Sequence, residues 1–111
     1  MKIDDWRRKI DAIDIALLHL LNLRAELSLE VGRMKREAGV PLRAPEREQE
    51  ILMRMKQANP GPLDGKTIGK IYQLILDESI RTQTRFGYSI STVTKARGHL
   101  RRSKNSKPAG R

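Results

Sequence analysis

Arg24 interrupts an apolar stripe. Trp6, Ile10, Ile13, Leu17, Leu20, Leu27, Val31 and Met34 recur at alternating spacings of three and four, as on one helix face, and Arg24 takes the place between Leu20 and Leu27. A guanidinium cannot shed its charge, and burying it without an anionic partner is costly. A helix with one in its own apolar stripe needs an anion there: a carboxylate such as Glu48 or Asp14, or a negatively charged ligand. Lys35 follows eleven residues later, close to a whole number of turns. It points the same way, about 16 Å further along the axis. Two long side chains leaning together from these positions can bracket a small dianion.

Polar groups intrude on two other apolar faces. Arg47 and Glu48 precede Ile51 and Leu52 by one turn, and Ser79 and Gln83 replace apolar residues on the stripe Ile68, Ile71, Tyr72, Ile75 and Leu76. As an i,i+4 pair, Ser79 and Gln83 share a face. Each group has an ordinary reading, as an ion pair, a solvated charge or a mutual hydrogen bond. Their joint occurrence on three helices favours a pocket, because buried polar groups need partners and one polar ligand would serve them all. Arg7 lies seventeen residues before Arg24, about 25 Å away on the same helix. One small molecule cannot touch both in a single chain. In an antiparallel dimer Arg7 could reach the partner's pocket; taken alone it reads as a solvated charge. With no cysteine, and only His19 and His99 as imidazoles, neither a disulfide nor a metal site is expected.

These residues need helices to position them. The first is expected over about Asp4–Ala38: Asp4 and Asp5 suit its N-terminus, Arg33, Lys35 and Arg36 its C-terminus, and Gly39 and Pro41 end it. Pro45 opens a second, ending near Ala58 before Asn59-Pro60-Gly61-Pro62. A third is expected from Asp64, as N-cap, to Arg85 or Phe86. The fold class is therefore all-α, a three-helix protomer with a long first helix. That helix would be about 50 Å long, whereas a compact 100-residue domain has a radius of gyration near 13 Å. Two shorter helices cannot cover so long a seam, so a second chain is expected to cover the rest, giving an intertwined homodimer. Residues 1–86 form the domain and 87–111 a basic, flexible tail.

The net charge of the 111 residues is +10, but unevenly spread. Residues 86–111 carry seven basic groups and no acid, leaving 16 basic against 13 acidic residues, a net +3, in the body. A nucleic-acid role would rest on the tail alone, where aromatics are scarce, so nucleic acid is not the expected partner. The charged start, MKIDDWRRKID, and the lack of a long apolar run predict neither a signal peptide nor a membrane span, and a cytoplasmic location.

In order and spacing, residues 4–85 resemble the AroQ-class, all-helical chorismate mutases. The matching stretches are Arg7 to Asp14, Leu23-Arg24, Val31-Gly32-Arg33-Met34-Lys35, Arg43-Ala44-Pro45-Glu46-Arg47-Glu48, and Tyr72 to Gln83. The resemblance implies an intertwined dimer whose two sites each draw on both chains, and the Claisen rearrangement of chorismate to prephenate in aromatic amino acid biosynthesis. Arg24 and the other chain's Arg7 would bind the two carboxylates, with Arg47 adding charge and Ser79 hydrogen-bonding nearby. Lys35 and Gln83 would donate to the ether oxygen, and Glu48 would accept from the ring hydroxyl. No cofactor is implied. Ala44 departs from members with an acid at that place. Isochorismate pyruvate lyases resemble the Ala-Pro-Glu-Arg stretch but generally lack the acid found here as Glu48. The tail has no counterpart in the family core; it permits docking on another shikimate-pathway enzyme.

Overall fold

Among the described residues three helices make up the fold: α1 (Ile3–Ala38), α2 (Pro45–Ala58) and α3 (Gly65–Arg97). This computed structural model describes the backbone of residues 1–97 and the side chains of residues 1–86. The Asp5 carboxylate accepts the Lys2 N–H at 2.9 Å where α1 begins. At its end Gly39 turns left-handed, φ 72°, a conformation glycine adopts without steric cost. The Gly39 N–H then reaches the Arg36 carbonyl at 3.1 Å, and the Val40 N–H that of Lys35 at 3.0 Å. Pro45 opens α2, and Ala44 supplies no side-chain cap. Asp64 caps α3, its Oδ1 accepting the Thr67 N–H at 2.8 Å.

The third helix differs from expectation at its C-terminal end. It runs past Arg85 and Phe86 to Arg97. The apolar period fades there, but nothing breaks the helix: no proline lies between Pro62 and Pro108. Gly87 costs only about 1 kcal/mol relative to alanine. The boundary expected at residues 86/87 is thus not marked by a break in secondary structure. The expectations of a flexible tail, a docking segment or a nucleic-acid contact fall largely on residues 98–111, outside the described residues.

Helix α3 packs against both α1 and α2. The face of α1 turned to it is not the apolar stripe but one that carries Arg24, Ser28, Gly32 and Arg36, which bond to or lie against Ser79 and Gln83. Gly32 is buried there, and Ala25, Ser28 and Leu29 are half-buried. The stripe itself stays uncovered, with Leu20 61% and Met34 62% exposed, and among the described residues Ile51 and Leu76 are the buried apolar side chains. Every residue from Arg7 to Leu23 is exposed. The extents are 55 × 32 × 18 Å and the radius of gyration 17.4 Å, well above the value for a compact domain of this size. No described helix is long and apolar enough to cross a membrane.

Candidate active site

A half-open cavity of about 290 Å³ lies where the three helices meet. Helix α1 contributes Arg24, Ser28 and Lys35, α2 contributes Arg47 and Glu48, and α3 contributes Ser79 and Gln83. Leu27, Val31, Leu42, Ala44, Ile51, Leu76 and Ile80 supply the apolar lining. Six of the seven residues singled out in the sequence therefore meet in one place. The seventh, Arg7, does not line it; its side chain is 71% exposed, with Asp4 3.7 Å away.

Arg24 has a neutral partner. Its Nη1 donates to Ser79 Oγ at 2.7 Å, and the ion pairs among the described residues include neither Arg24–Glu48 nor Arg24–Asp14. A hydroxyl orients the guanidinium but leaves its charge uncompensated. Lys35 Nζ donates to the Leu42 carbonyl at 2.8 Å. That uses one of three ammonium donors and fixes the lysine to the loop between α1 and α2.

Glu48 is gripped by Arg43 from that loop. Arg43 Nε and Nη2 donate to its two carboxylate oxygens, both at 3.1 Å, and Nη2 also reaches Asp77 Oδ1 at 2.6 Å. Hydrogen bonds from Arg43 first, and then from Gln73, hold the Asp77 carboxyl below the usual aspartate range. Arg47 donates to Glu50 at 2.8 Å on the surface, holding the Glu50 carboxyl low in turn. The cavity wall thus carries two cations with no carboxylate partner, Arg24 and Lys35, beside Arg47, which is paired with Glu50, and Glu48, which is paired with Arg43. Such a wall suits a compact dianion.

Gln83 is only 4% exposed. It does not bond to Ser79; its Nε2 donates to the carbonyl and the Oγ of Ser28, each at 2.8 Å. Its Oε1 is buried without a partner. Arg36 Nη1 donates to the Gln83 main-chain carbonyl at 3.2 Å from the next turn of α1.

Sequence reasoning missed Ser28, Gly32 and Arg43. The first two were readable as a row: Arg24, Ser28, Gly32 and Arg36 are spaced by four and share a face. Arg43 carries no such signal, because a lone loop arginine resembles any solvated charge. Among the described residues no group of three His, Asp or Glu side chains could hold a metal ion.

Residues 6–84 match the family model described as chorismate mutase type II. The bifunctional chorismate mutase/prephenate dehydratase of Escherichia coli K12 is 40% identical over 78 residues, 69% of this chain and 20% of its own length. The corresponding Aquifex aeolicus protein is 40% identical over 58 residues, 52% of this chain and 16% of its own. The chain therefore spans a fifth or less of these two-function relatives. The chorismate mutase of Methanocaldococcus jannaschii is 31% identical over 86 residues, covering 77% of this chain and 87% of that protein. A solved structure of chorismate mutase (form II) from Thermus thermophilus aligns with a TM-score of 0.75 at 34% identity, covering 77% of this chain and 97% of that one.

Proposed function

The chain belongs to the chorismate mutase type II family, and on that premise we propose that it catalyses the Claisen rearrangement of chorismate to prephenate. The observation that carries this reading is the convergence of Arg24, Lys35, Arg47, Glu48, Ser79 and Gln83 on one cavity. The reaction is unimolecular: a C–O bond of the enolpyruvyl ether breaks as a C–C bond forms, and no atom is gained or lost. It needs neither nucleophile nor cofactor. The site has to fold the side chain over the ring, removing the entropy of reaching a near-attack conformer. It has also to stabilise the negative charge that grows on the ether oxygen.

Arg24, oriented by Ser79, binds one carboxylate, and Arg47 adds charge beside it after leaving Glu50. Lys35 presents its remaining ammonium donors to the ether oxygen, and Gln83 turns one N–H from Ser28 to the same atom. A fixed cation in this cavity acts more strongly on the charged transition state than on the ground state. Glu48, oriented by Arg43, accepts from the ring hydroxyl. Ala44 offers only main-chain groups at its position, so a contact there is made without a carboxylate.

The proposal includes a homodimer in which Arg7 of each chain enters the other's site and binds the second carboxylate. Its support is the uncovered stripe of α1 and the length of helix separating Arg7 from Arg24. The proposal also includes a cytoplasmic location and a part in aromatic amino acid biosynthesis.

The test is direct. Purified protein should consume chorismate, followed by its ultraviolet absorbance, and form prephenate, whereas an Arg24→Ala variant of unchanged helicity should lose at least about a hundredfold in kcat/KM. Pyruvate release from isochorismate is measured in parallel. Faster release of pyruvate than formation of prephenate would assign the site to the lyase instead, against the expectation set by Glu48.

A further inference from the structure

We infer that Ser28, with Gly32 beneath it, is the positioning residue that fixes the Gln83 carboxamide; its catalytic consequence rests on the chorismate mutase reading. A glutamine amide sits at the end of three rotatable bonds, and its last torsion is broad and roughly two-fold. Something has to choose its orientation if an N–H is to be ready to pass to a ligand.

Ser28 makes that choice. Both side-chain hydrogen bonds of Gln83 go to it, one to the main-chain carbonyl and one to Oγ, each at 2.8 Å. A reversed amide would set Oε1 against the Ser28 carbonyl, two acceptors facing each other with no proton between them. The carbonyl therefore selects which end of the amide faces α1, and the hydroxyl limits how far that end can rotate. Gly32, one turn further along the same face, makes room for the stem. A Cβ there would stand 2.8 Å from Gln83 Cγ, 3.0 Å from Cδ and 3.1 Å from Cβ, closer than packed carbon atoms tolerate. Ser28 also lines the cavity that Gln83 enters, so the restraint acts where the donor is needed. The bond to the Ser28 carbonyl keeps the amide oriented while the N–H resting on Oγ passes to the ligand, so the amide need not be ordered during the reaction.

Two measurements on the full chain test this. The first needs no substrate. The side-chain NH₂ signals of Gln83, assigned by their loss in Gln83→Ala, should be shifted and slow to exchange in the parent protein, and should move toward free-glutamine values in Ser28→Ala. Signals unchanged by Ser28→Ala would overturn the inference whatever the protein catalyses. The second is kinetic. Ser28→Ala should lower kcat about two- to fivefold, the scale of one neutral hydrogen bond, with KM nearly unchanged. Ser28→Thr, which keeps the hydroxyl, should recover it. The same substitution to alanine should have no effect in a Gln83→Ala background, because a residue acting through Gln83 has nothing left to position. A loss of equal size in both backgrounds, or no loss with Gln83 present, would count against Ser28. Failure of the parent protein to turn over chorismate would instead remove the proposed function, leaving the amide signals to decide the inference.

Discussion

Arg43 holds both carboxylate oxygens of Glu48 at 3.1 Å, yet is not among the residues that line the cavity. The two side chains form a fork-to-fork pair, the geometry in which an arginine fixes a carboxylate's orientation as well as its charge. Nη2 extends the pair to Asp77 on α3, so one guanidinium ties the loop, α2 and α3 together. Glu48 is thereby presented to the cavity from behind.

The first prediction follows from that support. Arg43→Met should lower kcat/KM by up to about tenfold, because Glu48 remains but is no longer aimed. Arg43→Lys should not restore the rate, since an ammonium is a point charge and cannot make the forked contact. Steady-state kinetics beside far-ultraviolet circular dichroism would check this. A parent-like rate in both variants would show that Glu48 needs no help from Arg43.

A second prediction concerns pH and stability. The carboxyls of Asp77 and Asp64 are both held below their ordinary value, the first by Arg43 and then Gln73, the second by Thr67 at the start of α3. A carboxyl with a depressed folded-state pKa binds its proton more readily in the unfolded chain. Its contribution to stability is therefore present above the unfolded value of about 3.9 and is lost as pH falls through the lower, folded value. Urea midpoints should hold between pH 7 and 5 and decline below pH 4. Asp77→Asn and Asp64→Asn should each flatten that fall. Both groups lie at the surface, so added salt should shrink the Asp77 share by screening. Equal acid sensitivity in parent and variants would refute the assignment.

A third prediction uses the neutrality of Gln83. An amide donates a hydrogen bond at any pH, whereas a glutamate donates only when protonated. Gln83→Glu should therefore be nearly inactive at pH 7 and gain activity as pH falls toward and below the introduced carboxyl's pKa, ordinarily about 4.3 and raised by burial at this site. The parent should show no such rise. Rate profiles from pH 8 to 4.5, taken where both proteins remain folded, would check it. A variant as active at pH 8 as at pH 5 would mean that Gln83 is not a donor in the reaction.

Much of this arrangement was legible before any coordinates. Charged, hydroxyl and amide residues on or beside apolar stripes pointed to the six that line the cavity, because such residues stand out against a strict period. The limits of α1 and α2 were marked by Gly39, Pro45 and Asn59-Pro60, residues with few permitted backbone conformations or a marked preference for chain ends. The far end of α3 was not legible, since a fading stripe says where packing stops and not where a helix stops. Ser28 and Gly32 were overlooked for the opposite reason. Small residues leave no gap in an apolar pattern, yet they let α3 approach α1 and give Gln83 its place. The direction in which the stripe of α1 faces was also hidden. Periodicity shows that one face is apolar but not which neighbour covers it, and in this chain α3 takes the face that carries Arg24, Ser28, Gly32 and Arg36 instead.

The fourth prediction separates a shared site from a self-contained one. If each site combines Arg24 of one chain with Arg7 of the other, Arg7→Ala and Arg24→Ala proteins should both be nearly inactive alone. Unfolded together in equal amounts and refolded, half the dimers would be mixed. In each mixed dimer one site would hold both arginines and the other neither. About one quarter of the parent activity should then return, as two-fold symmetry requires. An arginine acting within its own chain could not be rescued in this way, because every chain in the mixture lacks one of the two. A charge on the uncovered stripe, as in Ile13→Asp, should abolish the rescue along with the dimer. Sedimentation would show the change in mass. A dimer that forms but yields no recovered activity would leave Arg7 a solvated residue beside Asp4.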